Sequence, residues 1–119
     1  MEEKLKRFLR AMISNGGSDL HLKSGAITRV RINGQLKLIG KEVLSAEEID
    51  GIARAITTAE QYGKLKIDKS LDFTYILGED HRFRVNMFYQ MDGLSAVFRI
   101  IPVKILSIDE LGLPEVIKS

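Results

Sequence analysis

The sequence predicts an α+β fold in which helices cover one face of an antiparallel β-sheet. Its helix and strand patterns follow the order α-β-β-β-α-α-β-β-β, and strands grouped in runs favour this class over alternating α/β folds. Two dipeptides typical of tight hairpin turns, Asn33-Gly34 and Asp92-Gly93, join pairs of predicted strands. The strands also alternate apolar with polar residues, so only one face of the sheet is expected to be buried.

An amphipathic helix is predicted at the start of the chain. Its apolar residues recur at helical spacing: Leu5, Phe8, Leu9, Met12 and Ile13. Asn15-Gly16-Gly17 is expected to end this helix, because glycine readily takes the left-handed cap conformation. A short strand over residues 19–22 follows, with Asp19 and His21 on one face.

The next strands, residues 28–32 and 35–39, form a predicted hairpin around Asn33-Gly34, with Arg29 and Arg31 pointing outward. Two helices are then predicted from capping-box spacing, in which a Ser or Thr is followed three residues later by Glu or Gln. The first box begins at Ser45 and the second at Thr58.

The last predicted elements are a strand over residues 70–77 and a hairpin over residues 82–102. Alternation in the hairpin turns Arg82, Arg84 and Arg99 to one face. The apolar rows turn to the other: Phe83, Val85, Met87, Leu94, Ala96, Phe98 and Ile100. Beyond it, Ser107 opens another capping box, and the residues from Pro114 onward read as the start of a further helix, as expected of a piece of a longer protein.

Composition excludes several classes of function. The chain has 119 residues and no cysteine, which rules out disulfides and thiol chemistry. A formal net charge of +2 is too balanced to indicate a dedicated nucleic-acid binder. There is no apolar run of membrane-spanning length, and the first residues lack the cationic start and apolar run of a signal peptide, so the chain is expected to be a soluble intracellular domain.

No motif of a self-contained enzyme is present. The sequence has no GxxxxGK[ST] phosphate loop and no GxSxG motif. His81 follows two turn acids and is expected to be an ordinary surface residue. Asp19 and His21 are too few to hold a metal, since a typical site needs three or more ligands, so a local polar pair or a contact to another domain is favoured.

The best candidates for functional residues are the arginines on the outward face: Arg29, Arg31, Arg82, Arg84 and Arg99. Asp19, Asp72 and Thr74 are expected on the same face. The arginines either pair with the two aspartates or bind an anionic partner, because a guanidinium can meet a phosphate through two hydrogen bonds. Composition alone leaves both readings open.

Several segments in order nevertheless resemble a known family: residues 17–22 (GSDLHL), 29–36 (RVRINGQL), 71–73, 82–90 (RFRVNMFYQ), 96–102 (AVFRIIP) and 110–116 (ELGLPEV). Together they resemble the N-terminal domain of PilT-type ATPases, which drive type IV pilus retraction and belong to the secretion ATPase superfamily. The resemblance implies a PAS-like α+β domain over residues 1–104. Residues 105–119 would begin the linker toward a RecA-like motor domain that this chain lacks.

The same resemblance implies a function for the domain in a cytoplasmic homohexamer at the base of the pilus, beside an inner-membrane platform protein. ATP and Mg²⁺ would be held mainly by the motor domain, and this chain alone would not hydrolyse ATP. Arg84 and Arg99 match arginines that reach the nucleotide phosphates, Arg82 is a weaker candidate, and Asp19 and His21 are candidates for interdomain contact. No metal site and no nucleic-acid partner are expected in this chain.

Three alternatives remain open at this stage. The residues 26–28 depart from the Pro-Pro pair of many family members, which leaves a pilus-assembly or type II secretion paralogue possible. A PAS-like sensor would bind a small ligand in its core, although the apolar rows offer no obvious polar groups to orient one. A small nucleic-acid-binding module using the arginine face is the third reading.

Overall fold

The computed structural model describes residues 2–102 and confirms the predicted fold class and order of elements. The helices are α1 (Glu2–Ser14), α2 (Ala46–Ile56) and α3 (Ala59–Asp68). The strands are β1 (Gly17–Lys23), β2 (Ala26–Ile32), β3 (Gln35–Leu44), β4 (Ser70–Leu77), β5 (His81–Gln90) and β6 (Gly93–Ile101). The element predicted from Ser107 and the linker predicted over 105–119 lie outside the described residues.

All six strands form one antiparallel sheet in the order β3-β2-β1-β6-β5-β4. Each half of the chain contributes a three-stranded meander, and the two meanders meet where β1 pairs with β6. The first strand and the last strand therefore lie side by side at the centre of the sheet. This pairing brings Asp19 opposite Arg99, although 80 positions separate them in the sequence.

The core lies between the helices and one face of the sheet. Leu20 on β1 is the cross-strand partner of Phe98 on β6, which in turn faces Val85 on β5, and all three side chains are fully buried. The helices cover this row with apolar side chains that are also fully buried, among them Leu5, Leu9, Met12, Ile49 and Ile52. Burying one such side chain contributes about 1.5–3 kcal/mol, so this face supplies most of the hydrophobic stabilisation.

Both predicted capping boxes are confirmed, and they fix where α2 and α3 begin. The Glu48 backbone N–H donates to Ser45 Oγ at 3.1 Å, and the Ser45 N–H donates to Glu48 Oε1 at 2.9 Å. Thr58 and Gln61 make the same reciprocal pair at the start of α3. These bonds satisfy backbone donors that the first turn of a helix leaves unpaired.

The two predicted hairpin turns differ in geometry. Asn33 and Gly34 have φ of 52° and 80°, as a type I′ turn requires. In the second hairpin Gln90 pairs with Gly93, so the loop is Met91-Asp92, and only Gly93 has a positive φ, of 125°. A Cβ on Gly93 would lie 2.8 Å from Ser24 Oγ, so close approach as well as backbone conformation requires glycine there.

Strand β3 is longer than predicted: it continues from Ile39 to Leu44. Most of its residues are exposed, so burial imposes no clear alternation from which its end could be predicted. Its far end pairs with the start of β2 beyond an irregularity between Ile27 and Arg29, and Leu44 is buried there opposite Ala26.

Candidate functional site: the arginine face

The face of the sheet turned away from the helices carries a row of charged residues across its centre. Strand register makes Arg84 on β5 the neighbour of Arg99 on β6, then Asp19 on β1, then Arg31 on β2. We call these four residues the charged row. Cross-strand partners lie about 4.5–5.5 Å apart, so their side chains emerge next to one another.

Asp19 is the acidic centre of the charged row. Its side chain is only 6% exposed, and Arg99 Nε donates to its Oδ1 at 3.2 Å. Arg31 Nε lies 3.5 Å from the other carboxylate oxygen and is also held by a hydrogen bond to the Gly34 carbonyl at 3.1 Å. The buried carboxylate therefore orients Arg99, whose own side chain remains 70% exposed.

Arg84 is the other prominent member of the row. It is exposed, faces Arg99 on one side and Thr74 on the other, and has no ion pair within residues 2–102. Asp72, the nearby acid on β4, instead accepts a hydrogen bond from Asn86 Nδ2 at 2.8 Å. Like charges on directly opposite strand positions repel, so an anion bound between Arg84 and Arg99 would relieve a local cost.

The remaining predicted residues lie on the same face at different distances from the charged row. Arg82 is exposed one row nearer the sheet end, between Ile76 and Ile101. His21 lies on the opposite side of the row, between Arg29 and Val97. The structure thus groups Arg82, Arg84 and Arg99, while their predicted roles toward a nucleotide stay predictions.

The imidazole of His21 is partly buried. Its Nε2 atom is buried and has no hydrogen-bond partner within residues 2–102. Burial lowers the pKa of the imidazole below its usual value near 6.5, and the neighbouring arginines add to this, while Asp19 opposes it. His21 is therefore mostly neutral at pH 7. Its predicted interdomain contact, like that of Asp19, stays a prediction.

Sequence reasoning left open which arginines pair with Asp19, and the structure identifies them as Arg99 and Arg31. The pairing with Arg31 follows from the register of β1 with β2, in which Asp19 lies directly opposite Arg31. Within residues 2–102 there is no group of three or more His, Cys, Asp or Glu placed to hold a metal ion. None of the helices in that range combines the length and the apolar character needed to cross a membrane.

The chain is similar in sequence to curated proteins of type IV pilus systems. It is 36% identical over 103 residues to the type IV pilus retraction ATPase PilT of Pseudomonas aeruginosa, covering 87% of this chain and 30% of that protein. It is 30% identical over 116 residues to the type IV pilus ATPase PilU of the same organism, covering 98% of this chain and 30% of PilU. No family model matches the sequence.

Solved structures share the fold. The crystal structure of the pilus retraction motor PilT with bound ADP matches with a TM-score of 0.79 and 29% identity, covering 93% of this chain and 33% of that one. The Legionella pneumophila ATPase DotB matches with a TM-score of 0.77 over 97% of this chain and 33% of its own. At 22% identity, the DotB match shows the fold alone.

In both sequence and fold, the chain is similar to secretion ATPases. More closely, its homologues are PilT, PilU and twitching motility proteins, and the chain is consistent with the N-terminal domain of a PilT-type ATPase. The resemblance predicted from the sequence segments is therefore confirmed. The chain spans about a third of the length of the curated relatives and the solved PilT chain that it matches.

Proposed function

We propose that this chain is the N-terminal regulatory and oligomerisation domain of a hexameric ATPase that powers type IV pilus retraction. In this proposal Arg84 and Arg99 contact the phosphates of a nucleotide bound by a RecA-like motor domain of the full-length protein. The observation that carries the proposal is the charged row, in which these two arginines lie on adjacent strands of a helix-free face.

The geometry of Arg99 supports this role. The Asp19 carboxylate holds Arg99 Nε at 3.2 Å, which leaves the terminal nitrogens of the guanidinium free to donate toward solvent. A guanidinium restrained in this way loses less side-chain entropy when it binds an anion. Arg84 adds a second cation with no internal counter-ion in the described part of the chain.

Phosphoryl transfer needs positively charged groups of the kind that these arginines provide. Negative charge on the transferring phosphoryl group must be stabilised, and an arginine carried on a separate domain does so only when the two domains close. ATP and Mg²⁺ would be held mainly by the motor domain in a cytoplasmic hexamer, next to a membrane platform protein. This chain would contribute charge and would have no ATPase activity of its own.

The experiment compares Arg84→Ala and Arg99→Ala in the full-length protein with Arg54→Ala, which removes an arginine on the helix side of the domain. Each of these two substitutions is expected to lower ATP turnover by about 10³-fold or more, because arginines supplied to other phosphoryl-transfer sites have effects of this size. Nucleotide affinity is expected to change little. The Arg54 variant is expected to turn over normally. Normal turnover in both row variants would overturn the proposed role.

A further inference from the structure

A second feature of the helix-free face is a pocket beside the charged row. It lies on the outer surface of the sheet, not between the sheet and the helices, and has a volume of about 230 Å³. His21, Lys23 and Arg29 line it, together with Phe88, Leu36 and Ile27. His21 and Arg29 lie two residues along their strands from Asp19 and Arg31, so the pocket adjoins the charged row without including it.

The charge of the lining is one-sided. Lys23 and Arg29 are exposed and have no ion pair within residues 2–102, and no carboxylate lines the pocket. A cation would therefore be repelled there, which excludes a metal ion as occupant. An anion would gain two charged partners at once.

The His21 ring lies in the wall of the pocket. Its Nε2 atom is buried and has no hydrogen-bond partner within residues 2–102. Because that atom has almost no accessible surface, a bound acid would contact the ring without hydrogen-bonding to Nε2. The two lining cations therefore supply the attraction, and the His21 ring reports the contact.

The volume of the pocket and its apolar lining residues limit the rest of the ligand's structure. The volume is below the 300–1,000 Å³ typical of drug-sized ligands, so the pocket holds about one ring rather than a whole nucleotide. Phe88, Leu36 and Ile27 are apolar, and an aromatic ring stacks or packs on such walls. We propose that this pocket binds a small organic acid with one carboxylate and a compact apolar body, such as an aromatic acid.

The proposal is tested by NMR on the 119-residue chain with benzoate as the probe. Benzoate is expected to shift the imidazole signals of His21 saturably, with a dissociation constant on the order of 1 mM for so small a ligand. The signals of His81, which does not line the pocket, are expected to stay in place. Benzylamine and sodium chloride at matched ionic strength are expected to leave His21 unshifted.

Variants then separate the pocket from general charge. Lys23→Gln and Arg29→Gln are each expected to weaken benzoate binding about fivefold or more, and the double variant to abolish it. Lys64→Gln removes an exposed lysine of α3 that does not line the pocket and is expected to leave benzoate binding unchanged. Both lining cations are exposed, so the fold should tolerate these changes. The absence of a saturable His21 shift, an equal shift with benzylamine, or undiminished binding in the double variant would each overturn the proposal.

Discussion

Replacing Asp19 with Asn tests how strongly the charged row depends on its buried carboxylate. The amide keeps nearly the same shape but loses the negative charge that Arg99 and Arg31 contact at 3.2 and 3.5 Å. It would also leave Arg84, Arg99 and Arg31 without a counter-ion in the row. The change therefore removes electrostatic stabilisation while leaving the packing of the sheet almost untouched.

The expected loss follows from burial. A hydrogen bond to a charged group contributes about 1.5–3 kcal/mol when desolvated. The Asp19 side chain is 6% exposed, but its partners Arg31 and Arg99 are 38% and 70% exposed, and solvent screens such pairs strongly. We therefore expect Asp19→Asn to lower the free energy of unfolding by about 1–2 kcal/mol.

Urea denaturation of the 119-residue chain measures this loss. For a domain of this size, 1–2 kcal/mol lowers the urea midpoint by about 1 M. Asp72→Asn is the matched control, because Asp72 is an exposed carboxylate on the same face, and its one hydrogen bond within residues 2–102 comes from Asn86. It is expected to cost less than about 0.5 kcal/mol. Equal midpoints for wild type and Asp19→Asn, or equal losses for the two variants, would show that the buried carboxylate of Asp19 does not stabilise the charged row.

Three further predictions concern local features. Because burial lowers the pKa of His21, the folded state binds a proton there less readily than the unfolded state does. This group therefore makes the stability fall as the pH drops through about 6.5. His21→Asn should flatten that slope when denaturation is measured between about pH 5 and 7.5. Gly93→Ala should cost about 1–3 kcal/mol by thermal unfolding, because its φ is positive and Ser24 is close, whereas Gly63→Ala in α3, where a Cβ meets open space, should be stabilising. Ser45→Ala should lower stability by about 1 kcal/mol through loss of the capping box, and an unchanged melting temperature would contradict this.

Local patterns were enough to predict most of the elements of the fold. The capping boxes at Ser45 and Thr58 and the turn at Asn33-Gly34 are short-range signals, and each is confirmed in the structure. The far end of β3 was not predicted, because its exposed residues carry no burial pattern. The ends of a helix or strand can therefore be predicted where one of its faces is buried, because burial imposes a periodic apolar pattern on the sequence.

The candidate site was predictable only in part. Alternation showed that Arg84 and Arg99 share a face, but it left their partners open. The pairing of Arg99 with Asp19 depends on contact between β1 and β6, which no local pattern encodes across 80 positions. The pocket beside His21 depends on the same long-range pairing, because Phe88 comes from one meander and Arg29 from the other.

The proposed function requires Arg84 and Arg99 to reach a nucleotide. The most direct measurement is the structure of the full-length assembly with ATP replaced by a transition-state analogue and Mg²⁺ present. We expect guanidinium nitrogens of Arg84 and Arg99 about 2.7–3.2 Å from phosphate oxygens in at least one subunit. Arginines that point away from the nucleotide in every subunit would contradict it.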